Sequence, residues 1–220
     1  MLPLTQAQEA VGTDCLSLAD VARALGLSVD TLPPALRESA EKVPYSRATL
    51  EKGRGRQILV FRIGADAAGP LTIQRLIERF PASFDPAPLR KVGYALRDEW
   101  GIALEPLSGT ETCAPGWHLV DKAPLPESLN LSYYEQEALL RRLPGARRRS
   151  AVEAAFDLAM FHACRGVKLL ETAYDWTSSR TVDGGYLYVG GYADAGMTLV
   201  GFSAAVRTGT LGACPSWTEA

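Results

Sequence analysis

Long apolar runs, close cysteine pairs and histidine clusters are all missing from this chain, and each absence removes a class of function. No window approaches eighteen uninterrupted apolar residues, and Met1-Leu2-Pro3-Leu4-Thr5-Gln6 has no basic stretch leading into an apolar one. The expectation is a cytoplasmic protein with no membrane partner. Cys15, Cys113, Cys164 and Cys214 lie too far apart for a zinc ribbon or a redox dithiol and read as lone thiols of a reducing compartment. His118 falls in an expected strand; His162 lies in an expected helix two positions before Cys164, so these two side chains point to different faces. No nucleophile elbow, phosphate loop or paired-histidine helix is present. The sequence therefore reads as a non-enzyme that needs no cofactor and no metal.

What is present is 220 residues with 47% hydrophobic content, enough for one large domain or two to three small ones. The net charge of −2, from 23 basic and 25 acidic side chains, leaves any basic site to a local patch. The expected fold class is α+β in three segments: 1–67, 68–124 and 125–220. In the first, Ser17 caps a helix carrying Leu18, Val21, Ala22 and Leu25 at helical spacing, and Gly26 stops it. A second helix follows Ser28 or Thr31, and a basic loop of Lys52, Arg54 and Arg56 leads into the strand 57–63. This order resembles a helix-turn-helix with a wing, although Pro33-Pro34 shortens the recognition helix. The second segment repeats the plan, with helices at Leu71 to Phe80 and Leu89 to Trp100 and a hairpin from Ile102-Ala103-Leu104 and Gly116 to Val120. Two winged-helix-like modules imply nucleic acid as the candidate partner of the N-terminal half, through Lys52, Arg54, Arg56, Arg90, Lys91 and Arg97.

From residue 125 the character changes. Ser132 caps a helix ending at Pro144-Gly145, and Arg141, Arg142, Arg147, Arg148 and Arg149 form the densest basic cluster, a candidate phosphate site or a helix C-terminus favoured by its dipole. A strongly apolar helix is expected from Ser150 through Leu170, interrupted by Gly166 so that Val167 to Leu170 form a separate turn or short strand. The stretch from Tyr174 to Trp217 then holds eight of the chain's twenty glycines, many aromatic residues and few charges. After Thr181 the only charged residues are Asp183, Asp194, Arg207 and Glu219, too few for an acid/base pair, so the segment is suited to contacts. Alternation through Tyr186-Leu187-Tyr188-Val189 puts the aliphatic residues on one face and the tyrosines on the other. Outward tyrosines make a binding surface of large area and low entropy cost. Its expected contacts are Tyr186, Tyr188, Tyr192, Asp194, Thr198 and Phe202; packing of these rings on a neighbouring unit is the competing reading.

At Trp176-Thr177-Ser178-Ser179-Arg180, followed by Gly184-Gly185-Tyr186-Leu187-Tyr188-Val189-Gly190-Gly191, residues 126–217 resemble the ligand-facing half of C-type-lectin-like domains. The closest subset is that of formylglycine-generating-enzyme-like proteins and the variable proteins of diversity-generating retroelements. The resemblance implies a recognition protein that displays its tyrosines to a protein ligand, with Trp176, Ser178, Ser179 and Arg180 as scaffold. Cys214-Pro215-Ser216-Trp217 stands where such domains have Arg-Gly-Gly-Ser-Trp, and no calcium-binding triplet is present, so calcium-dependent sugar binding is not implied. The alternative is a DNA-binding transcriptional regulator with a C-terminal sensor domain.

Overall fold

The computed structural model describes residues 1–66, 68–83, 102, 105–193 and 196–219. Along the chain come β1 (Leu2–Pro3), α1 (Leu4–Val11), β2 (Cys15–Leu16), α2 (Leu18–Ala24), α3 (Pro34–Ala40), β3 (Lys42–Val43), α4 (Arg47–Gly53), β4 (Gln57–Arg62), β5 (Ala65–Asp66), β6 (Gly69–Pro70), α5 (Ile73–Arg79) and α6 (Leu107–Thr110). There follow β7 (Gly116–Asp121), α7 (Tyr133–Leu140), β8 (Ala146–Arg147), α8 (Ala151–Arg165), β9 (Tyr174–Arg180), β10 (Tyr186–Ala193), β11 (Gly196–Phe202), β12 (Leu211–Gly212) and β13 (Ser216–Trp217). The protein is α+β.

Three helices start where short-range chemistry dictates. Ser17, Ser132 and Ser150 each accept from the amide three residues on, while Asp20, Glu135 and Glu153 reach back to the serine amide, closing capping boxes on α2, α7 and α8. Gly166, at φ 68°, ends α8 in the left-handed conformation. Every residue of α8 from Ala151 to Phe161 is buried, as expected of a helix surrounded by other elements. It packs against β2 and β4 on one side, β9 and β10 on another, and α2 and α5.

Two larger sheets flank this helix. The five-stranded sheet has the order β2-β4-β7-β13-β8, and the four-stranded one β11-β10-β9-β12. The first takes strands from each of the three expected segments. Gln57–Arg62, expected as the strand after the basic loop, is buried along its whole length, with β2 pairing in parallel at Leu59 and Val60 on one side and β7 antiparallel on the other. Gly116–Asp121 likewise pairs with β4 and, at Leu119 and Val120, with β13. The remainder of the expected hairpin, Ala103 and Leu104, and the expected helix of Leu89 to Trp100 lie outside the described residues. Seven-residue α3 begins at Pro34 and packs on β7, where Trp117 Nε1 donates to the Ala40 carbonyl at 3.1 Å.

Candidate functional site

In extended chain, successive side chains alternate sides, and Arg147-Arg148-Arg149 uses that alternation to face two environments. Arg147 and Arg149 turn toward α8. Arg149 donates to Asp157 Oδ2 (2.8 Å) and Asp175 Oδ2 (3.0 Å), Arg62 donates to Asp157 and to Glu153 (2.7 Å), and Arg147 holds Glu153 with two bonds of 2.8 Å. The three arginines match three carboxylates, so the centre is formally neutral and ties β4, α8 and β9 together. Burial opposes ionisation of Glu153, but the bonds from Arg147 and the charge of Arg62 outweigh it and hold the carboxyl at about 2. With the Arg148–Glu137 pair, three of the five arginines of the expected phosphate cluster have carboxylate partners within the protein.

Arg148 turns the other way. Nε meets Glu137 at 3.0 Å, Nη1 the Trp176 carbonyl at 2.7 Å, and the guanidinium carbon lies 4.4 Å from the Tyr133 ring centroid. Here α7 crosses the outer face of the four-stranded sheet. Tyr133 stacks on Tyr186 at 3.6 Å between centroids and meets Trp176 edge-on. Beside them opens a cleft of about 610 Å³ lined by Tyr133, Tyr134, Glu137, Leu140, Arg141, Ala146, Arg147, Arg148, Ser178 and Tyr186. Tyr134, 63% exposed, also borders a second groove of about 500 Å³ running along Asp183–Gly185 and Gly201–Ala205 past Phe202, which is 44% exposed.

The expected contact residues divide. Leu187 and Val189 enter the main core, as the alternation requires, while Tyr186 faces the other side yet is only 5% exposed because α7 covers it. Tyr192 is fully buried. A register shift between Gly190 and Ala193 turns it onto the core side, where its hydroxyl lies 2.7 Å from His162 Nδ1. The expected direction is therefore corrected at Tyr192, and the expected exposure at both positions. Tyr188 and Thr198 are half-buried, Phe202 is exposed, and Asp194 lies outside the described residues. Tyr188 meets Tyr174 edge-on, next to a small pocket of about 130 Å³.

Trp176 and Ser179 are buried; Ser179 Oγ receives the Ala151 amide at 2.9 Å, and Arg180 donates twice to the Tyr186 hydroxyl. Cys164 bonds to the Asp20 carbonyl, away from His162. Among the described residues no group of three His, Cys, Asp or Glu side chains is placed to hold a metal ion. In the N-terminal half Lys52, Arg54 and Arg56 are exposed at the end of α4 and in the loop before β4, while Arg90, Lys91 and Arg97 lie outside the described residues. No described helix is long and apolar enough to cross a membrane.

The outer-face cleft was missed at Tyr133, Tyr134 and Ser178. Two adjacent tyrosines at the start of a capped helix were the signal, but only the tertiary crossing of α7 over β9 and β10 brings them beside Arg148. No protein-family model matches the chain, and neither a curated protein nor a solved structure matches it.

Proposed function

We propose that the chain is a non-enzymatic recognition protein whose ligand-binding surface is the outer face of the four-stranded sheet where α7 crosses it, with a protein as its ligand. The observation that carries this reading is the pair of open grooves meeting at Tyr134, one walled by aromatic rings and arginines and the other by small residues and Phe202. Fixed aromatic groups presented in a concave surface are what recognition sites use to gain contact area at low entropic cost. A C-type-lectin-like fold for residues 126–217, of the kind found in variable proteins of diversity-generating retroelements, is part of the proposal. It accords with the buried Trp176 and hydrogen-bonded Ser179 acting as scaffold. The surface nevertheless differs from the simple tyrosine display implied by alternation, since its exposed rings are Tyr134 and Phe202.

Selection of a random linear-peptide display library on the full chain tests this. The expected result is enrichment of sequences whose binding is lost by Tyr134→Ala combined with Phe202→Ala. It should be kept by a variant with Lys52, Arg54 and Arg56 changed to Ala. Enrichment that ignores the first variant would overturn the reading. The second reading, a DNA-binding regulator, rests on the exposure of Lys52, Arg54 and Arg56. Under it, duplex DNA binds with steep salt dependence and binding falls with those substitutions.

A further inference from the structure

The two grooves that meet at Tyr134 carry different charge. Around the first, Arg141, Arg147 and Arg148 line the wall and Arg142 adjoins it; Arg147 is already paired with Glu153, and Arg148 with Glu137, the only acid among the described lining residues, which leaves the charges of Arg141 and Arg142. Arg141 and Arg142 are exposed and make no ion pair among the described residues. Arg148 is buried, and its Nη2 has no hydrogen-bond acceptor among the described residues. The second groove has no basic lining residue among the described residues. Its acid, Asp183, accepts from the Thr181 hydroxyl and the Gly185 amide, which keep its carboxyl below the ordinary range. Its remaining walls are small residues, Tyr134 and Phe202.

We propose that this surface takes an extended segment of a partner protein in which one or more Asp or Glu side chains sit over Arg141 and an adjoining apolar side chain lies between Tyr134 and Phe202. The inference rests on the recognition reading above and supplies the chemistry of its ligand. The charge difference between the grooves selects the occupant. A nucleic-acid strand following both grooves brings a phosphate against ionised Asp183, whereas a peptide confines its negative charge to the arginine end. Rings at the junction accept the apolar residue, and the planar guanidinium of Arg141 offers a two-bond grip on a carboxylate.

The test reads the composition of the selected peptides and then the affinity of the strongest one. Enriched sequences are expected to pair Asp or Glu with a neighbouring Leu, Phe, Tyr or Trp. Fluorescence polarisation with that peptide should show roughly tenfold weaker binding to Arg141→Glu, and a similar loss when its acids become Asn and Gln. Arg141→Glu changes an exposed side chain without an ion pair, and its melting curve serves as the folding control. Equal affinity for the amide peptide, or for Arg141→Glu, overturns the acidic-segment inference. So does displacement by single-stranded DNA at lower concentration than by the free unlabelled peptide. Peptides without acids that still depend on Tyr134 and Phe202 would refute this inference alone and leave the surface assignment standing. A selection indifferent to those two rings would refute both.

Discussion

Arg62 and Asp157, ninety-five residues apart in the chain, meet in a two-pronged ion pair at the buried centre, Nε to Oδ1 at 2.8 Å and Nη2 to Oδ2 at 2.6 Å. Asp157 also receives Arg149, so one carboxylate joins the strand β4 to the arginine that reaches β9. Removing it leaves two buried guanidinium groups short of a partner. Asp157→Ala should lower stability by about 3–5 kcal/mol in urea unfolding. A loss under about 1 kcal/mol would mean that the centre contributes little to holding the two sheets on α8.

Acid should weaken the fold in two stages. Burial, and then the charge of Arg62, push the His118 ring from 6.5 down to about 4. Between those values the unfolded chain binds a proton that the folded chain does not, so stability falls as pH drops. Glu153 then acts between its ordinary 4.5 and its folded value of about 2: the stability from its ionised form is present above the first and is lost as pH falls through the second. Urea midpoints measured from neutral pH downward should decline across both windows, and His118→Gln should flatten the upper one. A midpoint that rises on acidification to about 4 would contradict the assignment.

Tyr186 and Tyr134 should respond oppositely to truncation. Tyr186 is sandwiched against Tyr133 and bonded to Arg180, so Tyr186→Ala should cost about 3 kcal/mol. Tyr134→Ala, on an exposed ring, should stay within about 0.5 kcal/mol. Thermal melts of the two variants separate a packed ring from a presented one.

The bulge that buries Tyr192 depends on glycine. A Cβ on Gly190 would stand 2.3 Å from the Ala173 carbonyl oxygen, and the residue holds φ 153°. Gly190→Ala should therefore cost on the order of 2 kcal/mol and perturb the Tyr192–His162 hydrogen bond. Chemical shifts of the His162 ring would report the change; an unchanged ring and melting temperature would show that the bulge tolerates a side chain.

Local chemistry was legible in the sequence where it acts over a few residues. The serine caps of α2 and α7, the break at Gly166 and the core side of Leu187 and Val189 all follow from spacing, as does the α+β class. Long-range pairing did not follow. Gln57–Arg62 carries the apolar residues of a strand, but nothing local says that β2 and β7 will cover both its edges. Tyr186 alternates outward as expected, yet its exposure was decided by α7, more than forty residues earlier in the chain. The arginine cluster could not be divided by inspection either, because its direction depends on Asp157 and Asp175, which become neighbours only when α8 docks between the sheets. α1 and α4 carried no strong pattern and were missed.

The most direct test of the account is the affinity of a library-selected peptide for the intact protein and for the Tyr134→Ala, Phe202→Ala double variant, measured by fluorescence polarisation with melting curves alongside. The account expects saturable binding to the intact protein and a loss of at least about tenfold in a variant that still melts cooperatively at nearly the same temperature. Equal affinity in both proteins would contradict the assignment of the outer face of the four-stranded sheet as the recognition surface.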